Sequence, residues 1–293
     1  MSCPDCFRGG KATGDPQGTT TTLHGVSTYI AGPPDFQPKS ASTIIYFTDA
    51  FGPTFLNNKL LADAYASGTG LSVLVPDLIP GGAISADALE LMDGAGASVS
   101  LFDIPGQLWR AWSVARVLSH FAPFLWRAYP SYRTCTQPCV EFARKVRAEM
   151  PEGAKLGVAG FCWGGYQALA LSAMAAVDGG EDRLVDAEFC AHPSALDCPK
   201  DIVDAVVKFK TPVSIAHARE DMALKTQAVE DSEAILRQKV GNGEGEGGYY
   251  YQIKIYEGVG HGFAVRAKPG SNVEADAADE AKAQAVEWFK RWL

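Results

Sequence analysis

KLGVAGFCWGG, residues Lys155–Gly165, is the stretch on which the reading of this chain turns. An apolar, strand-like run ends in Gly-Phe-Cys-Trp-Gly-Gly, and a helix-competent run, YQALALSAMA, follows at once. This is a Gly-x-nucleophile-x-Gly pattern with cysteine in the place of serine. The glycines have a steric reason. A nucleophile on a tight strand-to-helix turn sits on strained backbone, so the residues two before and two after it must lack side chains. Gly160 and Gly164 occupy those places, and Gly165 permits close helix packing. The turn predicts that Cys162 stands above a sheet at a helix N-terminus, where the helix dipole favours a thiolate. A buried inert cysteine would not need three glycines around it.

Outward from this turn, apolar β-rich runs alternate with helix-like stretches along the whole chain. The alternation predicts an α/β protein, a mostly parallel central sheet with helices on both faces. Strands are expected at Thr22–Ile30, Thr43–Thr48, Ser72–Pro76, Lys155–Ala159, Ala187–His192, Val213–Ala216 and Tyr250–Tyr256. Runs such as IIYF and SVLV are continuously apolar, as strands covered on both sides are. Helices are expected at Asn57–Ser67, Gln107–Ser119, Gln137–Met150, Gly165–Ala176, Lys225–Lys239 and Ala277–Trp292, the last with Ala281, Ala285, Trp288, Phe289 and Trp292 on one face. GNGEGEGG, residues 241–248, reads as an exposed turn. Residues 101–132 are rich in aromatics and broken by Pro123 and Pro130. Trp109 and Trp112 read there as the core-facing side of a helix, and Phe121–Tyr132 as a cap or pocket wall over the site. No composition break divides the 293 residues, so one domain is expected, with residues 1–18 a flexible or packed N-terminal segment.

Charge and cysteine usage narrow the function. A net charge of −8 argues against a nucleic-acid or polybasic membrane surface. No apolar run approaches the roughly 20 residues that span a bilayer. The N-terminus lacks the apolar stretch of a secretory signal, and seven scattered cysteines do not form a disulfide framework. A cytoplasmic location follows as the expectation. Cys3 and Cys6 have C-x2-C spacing without a second pair, so no metal and no cofactor are expected. The expected partner is a small molecule, with the protein a monomer or homodimer.

A nucleophile on such a turn needs an acid and then a histidine after it in the chain. His261 lies in the glycine-flanked segment Tyr256-Glu-Gly-Val-Gly-His-Gly-Phe, directly after the last strand. His217 and His192 read as structural. Asp221 follows the strand PVSIA by a few residues, which makes it the expected acid, with Glu220 its nearest rival. In this arrangement His261 takes the thiol proton and Asp221 holds its tautomer. The backbone N–H groups of Trp163 and of Ala50, after the strand in IIYFTDAFG, are the expected oxyanion donors.

Several blocks together resemble the dienelactone hydrolase family, particularly its fungal intracellular branch, over nearly the whole chain. They are YFTDAFG (Tyr46–Gly52), LVPDL (Leu74–Leu78), GVAGFCWGG (Gly157–Gly165), AHPS (Ala191–Ser194), PVSIAHAREDMAL (Pro212–Leu224) and YEGVGHGFAVR (Tyr256–Arg266). The resemblance implies an α/β-hydrolase fold, a Cys162–Asp221–His261 triad, no metal, and hydrolysis of enol-lactones or similar small esters. Bacterial members have a glutamate where this chain has Asp49, and it holds the resting thiol. They also bind the substrate carboxylate with arginines, one of them four residues after the histidine. That position is Val265 here, and the arginine is Arg266. Asp49, Phe51, Tyr166 and Arg266 are thus the candidates for substrate binding or the resting state. The expected chemistry is lactone or ester hydrolysis through a thioester. The alternatives are a natural-product cyclase or acyltransferase on the same residues, and a non-catalytic small-molecule binder.

Overall fold

The computed structural model describes residues 13–33, 35–37, 39–89, 91, 99–100, 102–128, 132–268 and 270–293. The Cys3–Cys6 pair, Tyr129 and Pro130 lie outside the described residues, as do parts of the N-terminal segment and of 101–132. One eight-stranded sheet runs in the order β1-β2-β4-β3-β5-β6-β7-β8. Its strands are β1 (Thr19–Leu23), β2 (Val26–Ala31), β3 (Thr43–Phe47), β4 (Ser72–Pro76), β5 (Leu156–Phe161), β6 (Ala187–Ala191), β7 (Val213–Glu220) and β8 (Tyr251–Gly260). From β4 to β8 every neighbouring pair is parallel, while β1 and β2 are antiparallel additions at one edge.

The single strand expected at Thr22–Ile30 is a hairpin instead. His24 (φ 52°) and Gly25 (φ 82°) both take left-handed backbone, the pair of conformations that closes a two-residue hairpin turn matched to strand twist. Strands β7 and β8 extend four residues past the expected ends, to Glu220 and Gly260, which carries both chains toward the site.

Helices α1 (Leu56–Thr69) and α7 (Asn272–Trp292) cover one face of the sheet. Tyr65 and Phe289 meet there at 6.4 Å between ring centroids, both buried. Three of the four helices on the other face were expected: α3 (Tyr132–Glu149), α4 (Trp163–Ser172) and α6 (Thr226–Val240). The fourth, α5 (Lys200–Val207), was not, although Ile202, Ala205 and Val206 have helical spacing and are buried against Leu169 and Val229. Every residue of β5 and β6 is buried, as expected of strands covered on both faces. The α7 stripe holds at Ala281, Ala285, Trp288 and Phe289. Residues 241–248 form a turn that includes a short 3-10 segment, Glu246–Gly248.

Helix α2 (Ile104–Ala128) corrects the reading of the aromatic stretch. It runs through Pro123, and α3 likewise runs through Pro138. Trp109 and Trp112 do not face the core: they stack on each other at 4.9 Å and are 57% and 47% exposed. Among the described residues, burial falls mostly in the second half of the helix, with Ser113 the buried residue of the first half. Phe124 and Ala128 are buried, and Arg127 donates to the carbonyls of Pro80 (3.0 Å) and Gly82 (3.3 Å). Among the described residues no helix is long and apolar enough to cross a membrane.

Candidate active site

Ligands of open parallel sheets bind beyond the C-terminal strand ends, where the strand order reverses. Here β3 feeds β4 on one side and borders β5 on the other, and the expected site residues gather at that edge. Cys162 follows β5 with φ 54° and ψ −113°, strained backbone that aims its side chain away from the sheet. The flanking glycines are required. A Cβ at Gly164 would collide with the carbonyl oxygen of Phe47, and one at Gly160 with that of Gly164. The turn is tied down by four hydrogen bonds: Cys162 N–H to Ala191 O (3.4 Å), Gly164 N–H to Thr48 O (3.1 Å), Gly165 N–H to Cys162 O (3.1 Å) and Ser194 N–H to Cys162 O (3.1 Å).

His261 stands just past β8, and its Nδ1 lies 2.9 Å from each oxygen of Asp221. Asp221 is fixed in turn by the N–H groups of Ala223 (2.7 Å) and Leu224 (3.2 Å), so the acid, unlike exposed Glu220, is held by its own loop. The other side of the imidazole meets Cys162. Burial raises the thiol pKa, but the charge and hydrogen bond of His261 outweigh it, and Arg266 adds to them against the opposing charge of Asp49. The thiol is lowered as a result. Burial likewise opposes the charged imidazole, yet the Cys162 thiolate and the Asp221 carboxylate raise His261 to about 10. Both shifts favour a thiolate beside an imidazolium.

Of the other two histidines, both read as structural, His217 has a side-chain hydrogen-bond partner among the described residues, whereas both ring nitrogens of His192 are buried without one. His217 Nε2 lies 3.1 Å from Thr226 Oγ1. His192 is fully buried and wedged edge-on between the rings of His261 (5.0 Å) and Phe263 (5.8 Å). Burial first, then the charges of His261 and Arg266, hold it well below the usual imidazole range, so it stays neutral.

The remaining candidates separate into two groups. Asp49, Phe51 and Arg266 come together beside Cys162. Asp49 is fully buried: one oxygen accepts from Asn58 Nδ2 (2.9 Å) and from Phe51 N–H (3.2 Å), the other from Arg266 Nε (3.2 Å). The one-residue offset of Arg266 does not turn it away. Its guanidinium curls back over Gly262, where a Cβ would lie 2.5 Å from Nη2, and sits 5.1 Å from the Phe51 ring centroid. Phe51 also lines a cavity of about 720 Å³ with Phe55, Asn57, Asp77 and Ile84. Tyr166 lies elsewhere, lining a cavity of about 290 Å³ with Leu169, Met174 and Lys200 between α4 and α5. Among the described residues, the N–H groups of Ala50 and Trp163 donate to no protein acceptor. One neighbour escaped the sequence reading: Ser194 Oγ lies 3.9 Å from Cys162 Sγ. Its signal was the AHPS block, whose histidine drew attention instead.

This edge-of-sheet arrangement matches a described family. The model of the dienelactone hydrolase family aligns with residues 26–293. The chain belongs to the dienelactone hydrolase family. Among curated relatives, Hydrolase tropI of Talaromyces stipitatus is 28% identical, the match covering 100% of this chain and 96% of that one. Dienlactone hydrolase 1 of Gibberella moniliformis is 27% identical over 98% of this chain and 93% of its own length. A solved structure of a putative dienelactone hydrolase from Klebsiella pneumoniae superposes with a TM-score of 0.58 at 17% identity, covering 94% of this chain and 98% of that one. That likeness concerns the fold, and family membership makes this chain an ester- or lactone-cleaving hydrolase.

Proposed function

We propose that this dienelactone hydrolase family member cleaves a small lactone or ester with Cys162 as nucleophile, through a thioester. The observation that carries the reading is the contact of Cys162 with an imidazole whose other nitrogen is fixed 2.9 Å from both oxygens of Asp221. The thiolate attacks the carbonyl carbon, and the N–H groups of Ala50 and Trp163 receive the developing oxyanion. As the C–O bond breaks, His261 gives its proton to the leaving alkoxide. His261 then takes a proton from water, whose oxygen attacks the thioester. The C–S bond breaks, and the carboxylic acid leaves with the thiolate restored.

Asp49 and Arg266 bear on the substrate. Both oxygens of Asp49 are engaged, and the guanidinium that would meet a substrate carboxylate is already paired with it. We therefore favour an uncharged lactone or ester. Free thiols at Cys135, Cys139, Cys162, Cys190 and Cys198 support a reducing, cytoplasmic setting.

The test is turnover of a neutral aryl ester and of a carboxylate-bearing enol-lactone by the wild type and by Cys162→Ala. The variant is expected to lose activity on both, and the wild type to prefer the neutral substrate. Retained turnover in Cys162→Ala would remove the nucleophile assignment.

A further inference from the structure

Helix α2 carries an outward stripe that belongs to no part of the fold described above. Ile104, Leu108, Ala111, Ala115, Leu118, Ala122 and Leu125 are all exposed, and their spacing alternates four and three residues over the whole helix. A repeat of 3.5 residues is the seam of two helices packed side by side, not the broad apolar face of a helix embedded in its own domain. Around the seam the exposed apolar side chains range from Val114 at 40% to Trp126 at 82%. At the ordinary size of such side chains, this is on the order of 900 Å² of apolar surface. A monomer leaves only a few hundred Å² open in one patch, and each partner of a standard stable interface gives up roughly 800 Å².

We infer that α2 is a homodimer seam, packing antiparallel against α2 of a second copy about a two-fold axis at Ala115. The sequence order of the stripe selects the register. In the antiparallel arrangement Leu108 of one copy meets Ala122 of the other, Leu118 meets Ala111, Ile104 meets Leu125, and Ala115 meets itself. Apart from the Ile104–Leu125 ends, each large side chain then faces a small one, which lets two helices approach closely and fill the space between them. A parallel pair would set alanine against alanine and leucine against leucine. The antiparallel choice also opposes the helix dipoles. The same patch of both copies is used, so the contact closes on itself as a dimer.

The seam is joined to the site. Phe121, on the body-facing side of α2, packs edge-on to Phe51 at 6.5 Å, and Phe51 follows Ala50. A bilayer is the other surface such a helix can meet, since Ile104–Ala128 carries Arg110, Arg116 and Arg127 and no acidic residue. The matching of large against small across the antiparallel seam serves a second helix and has no use in a lipid interface.

Sedimentation velocity of the full chain at micromolar concentration tests the inference, with circular dichroism as the control for folding. The wild type is expected to sediment at twice the chain mass and Leu118→Glu at the chain mass with an unchanged spectrum. Under mild oxidation Ala115→Cys is expected to form covalent dimers above the wild-type background, and Ile104→Cys is not, because only the residue at the axis comes within disulfide reach of its copy. This arm holds the proposal to account if Leu118→Glu does not fold. A monomeric wild type overturns the proposal, all the more if it cosediments with anionic phosphatidylserine vesicles. So does a Leu118→Glu dimer, and equal cross-linking of both cysteine variants overturns the antiparallel register.

Discussion

Nine of the ten residues of α4 are buried, against three of the twenty-five in α2, so the same local structure is under opposite constraints in the two places. Helix α4 is wrapped by the sheet and neighbouring helices, and its first turn has no spare volume: Gly164 lies against the Phe47 carbonyl and Gly165 against Pro193. Helix α2 lies along the surface, held mainly through its second half. In α4 the identity of each residue is set by steric fit around Cys162. In α2 it is set by what the outward side meets. A substitution in the first region should therefore act on chemistry or folding, and one in the second on association.

The sharpest test of that contrast is at the acid served by the elbow. Asp221→Asn keeps the shape but removes the charge that holds the imidazolium, and turnover is expected to fall about 10⁴-fold, equivalent to about 5 kcal/mol of barrier. The same variant should change the pH dependence of Cys162 alkylation. In the wild type the thiol pKa is lowered and that of His261 is raised to about 10, so reactivity is expected to decline as pH falls through the lowered thiol value. Without the Asp221 charge that decline is expected to move to higher pH. Unchanged alkylation profiles would disconnect Asp221 from the pair.

A middle-sized effect is expected inside the elbow itself. Gly164→Ala drives a Cβ into backbone and should cost at least about 3 kcal/mol of stability, beyond the usual range of overpacking because the obstacle cannot rotate away. Chemical denaturation of wild type and variant measures it, and a neutral result would show that the turn yields. The smallest effect is expected on α2, where Leu118→Glu changes a side chain 59% exposed. Turnover of the neutral ester per chain should stay within about twofold of wild type, since surface changes away from special features stay within about ±0.5 kcal/mol. A tenfold loss would mean that the contrast between the helices is false and that the seam shapes the site through Phe121.

How far the sequence could be read follows the same division. The elbow was legible because its glycines answer a local steric demand, and the order Cys162, Asp221, His261 because parallel strands bring successive loop ends to one edge. The hairpin at His24–Gly25 was missed because a histidine is not a usual signal of left-handed backbone. Pro123 read as a break, yet the helix continues through it. The side of α2 that bears Trp109 and Trp112 could not be read from aromatic content, since a stripe has the same composition whether it faces a core or another surface. The pairing of Asp49 with Arg266 joins residues 217 positions apart and appears only once the sheet is assembled.

The left-handed backbone of Cys162 sets reactivity and durability against each other at a single residue. Only glycine is at ease at φ 54° and ψ −113°, so every other side chain placed there lowers the melting temperature for the sake of its direction. Between two inactive variants, Cys162→Gly is thus expected to melt above Cys162→Ala, by roughly 2–4 °C for each 1 kcal/mol of relieved strain, although glycine is the weaker choice at ordinary backbone positions. The sturdiest form of this enzyme would be one that has lost its chemistry, and that form is the natural vehicle for holding an uncleaved substrate in place.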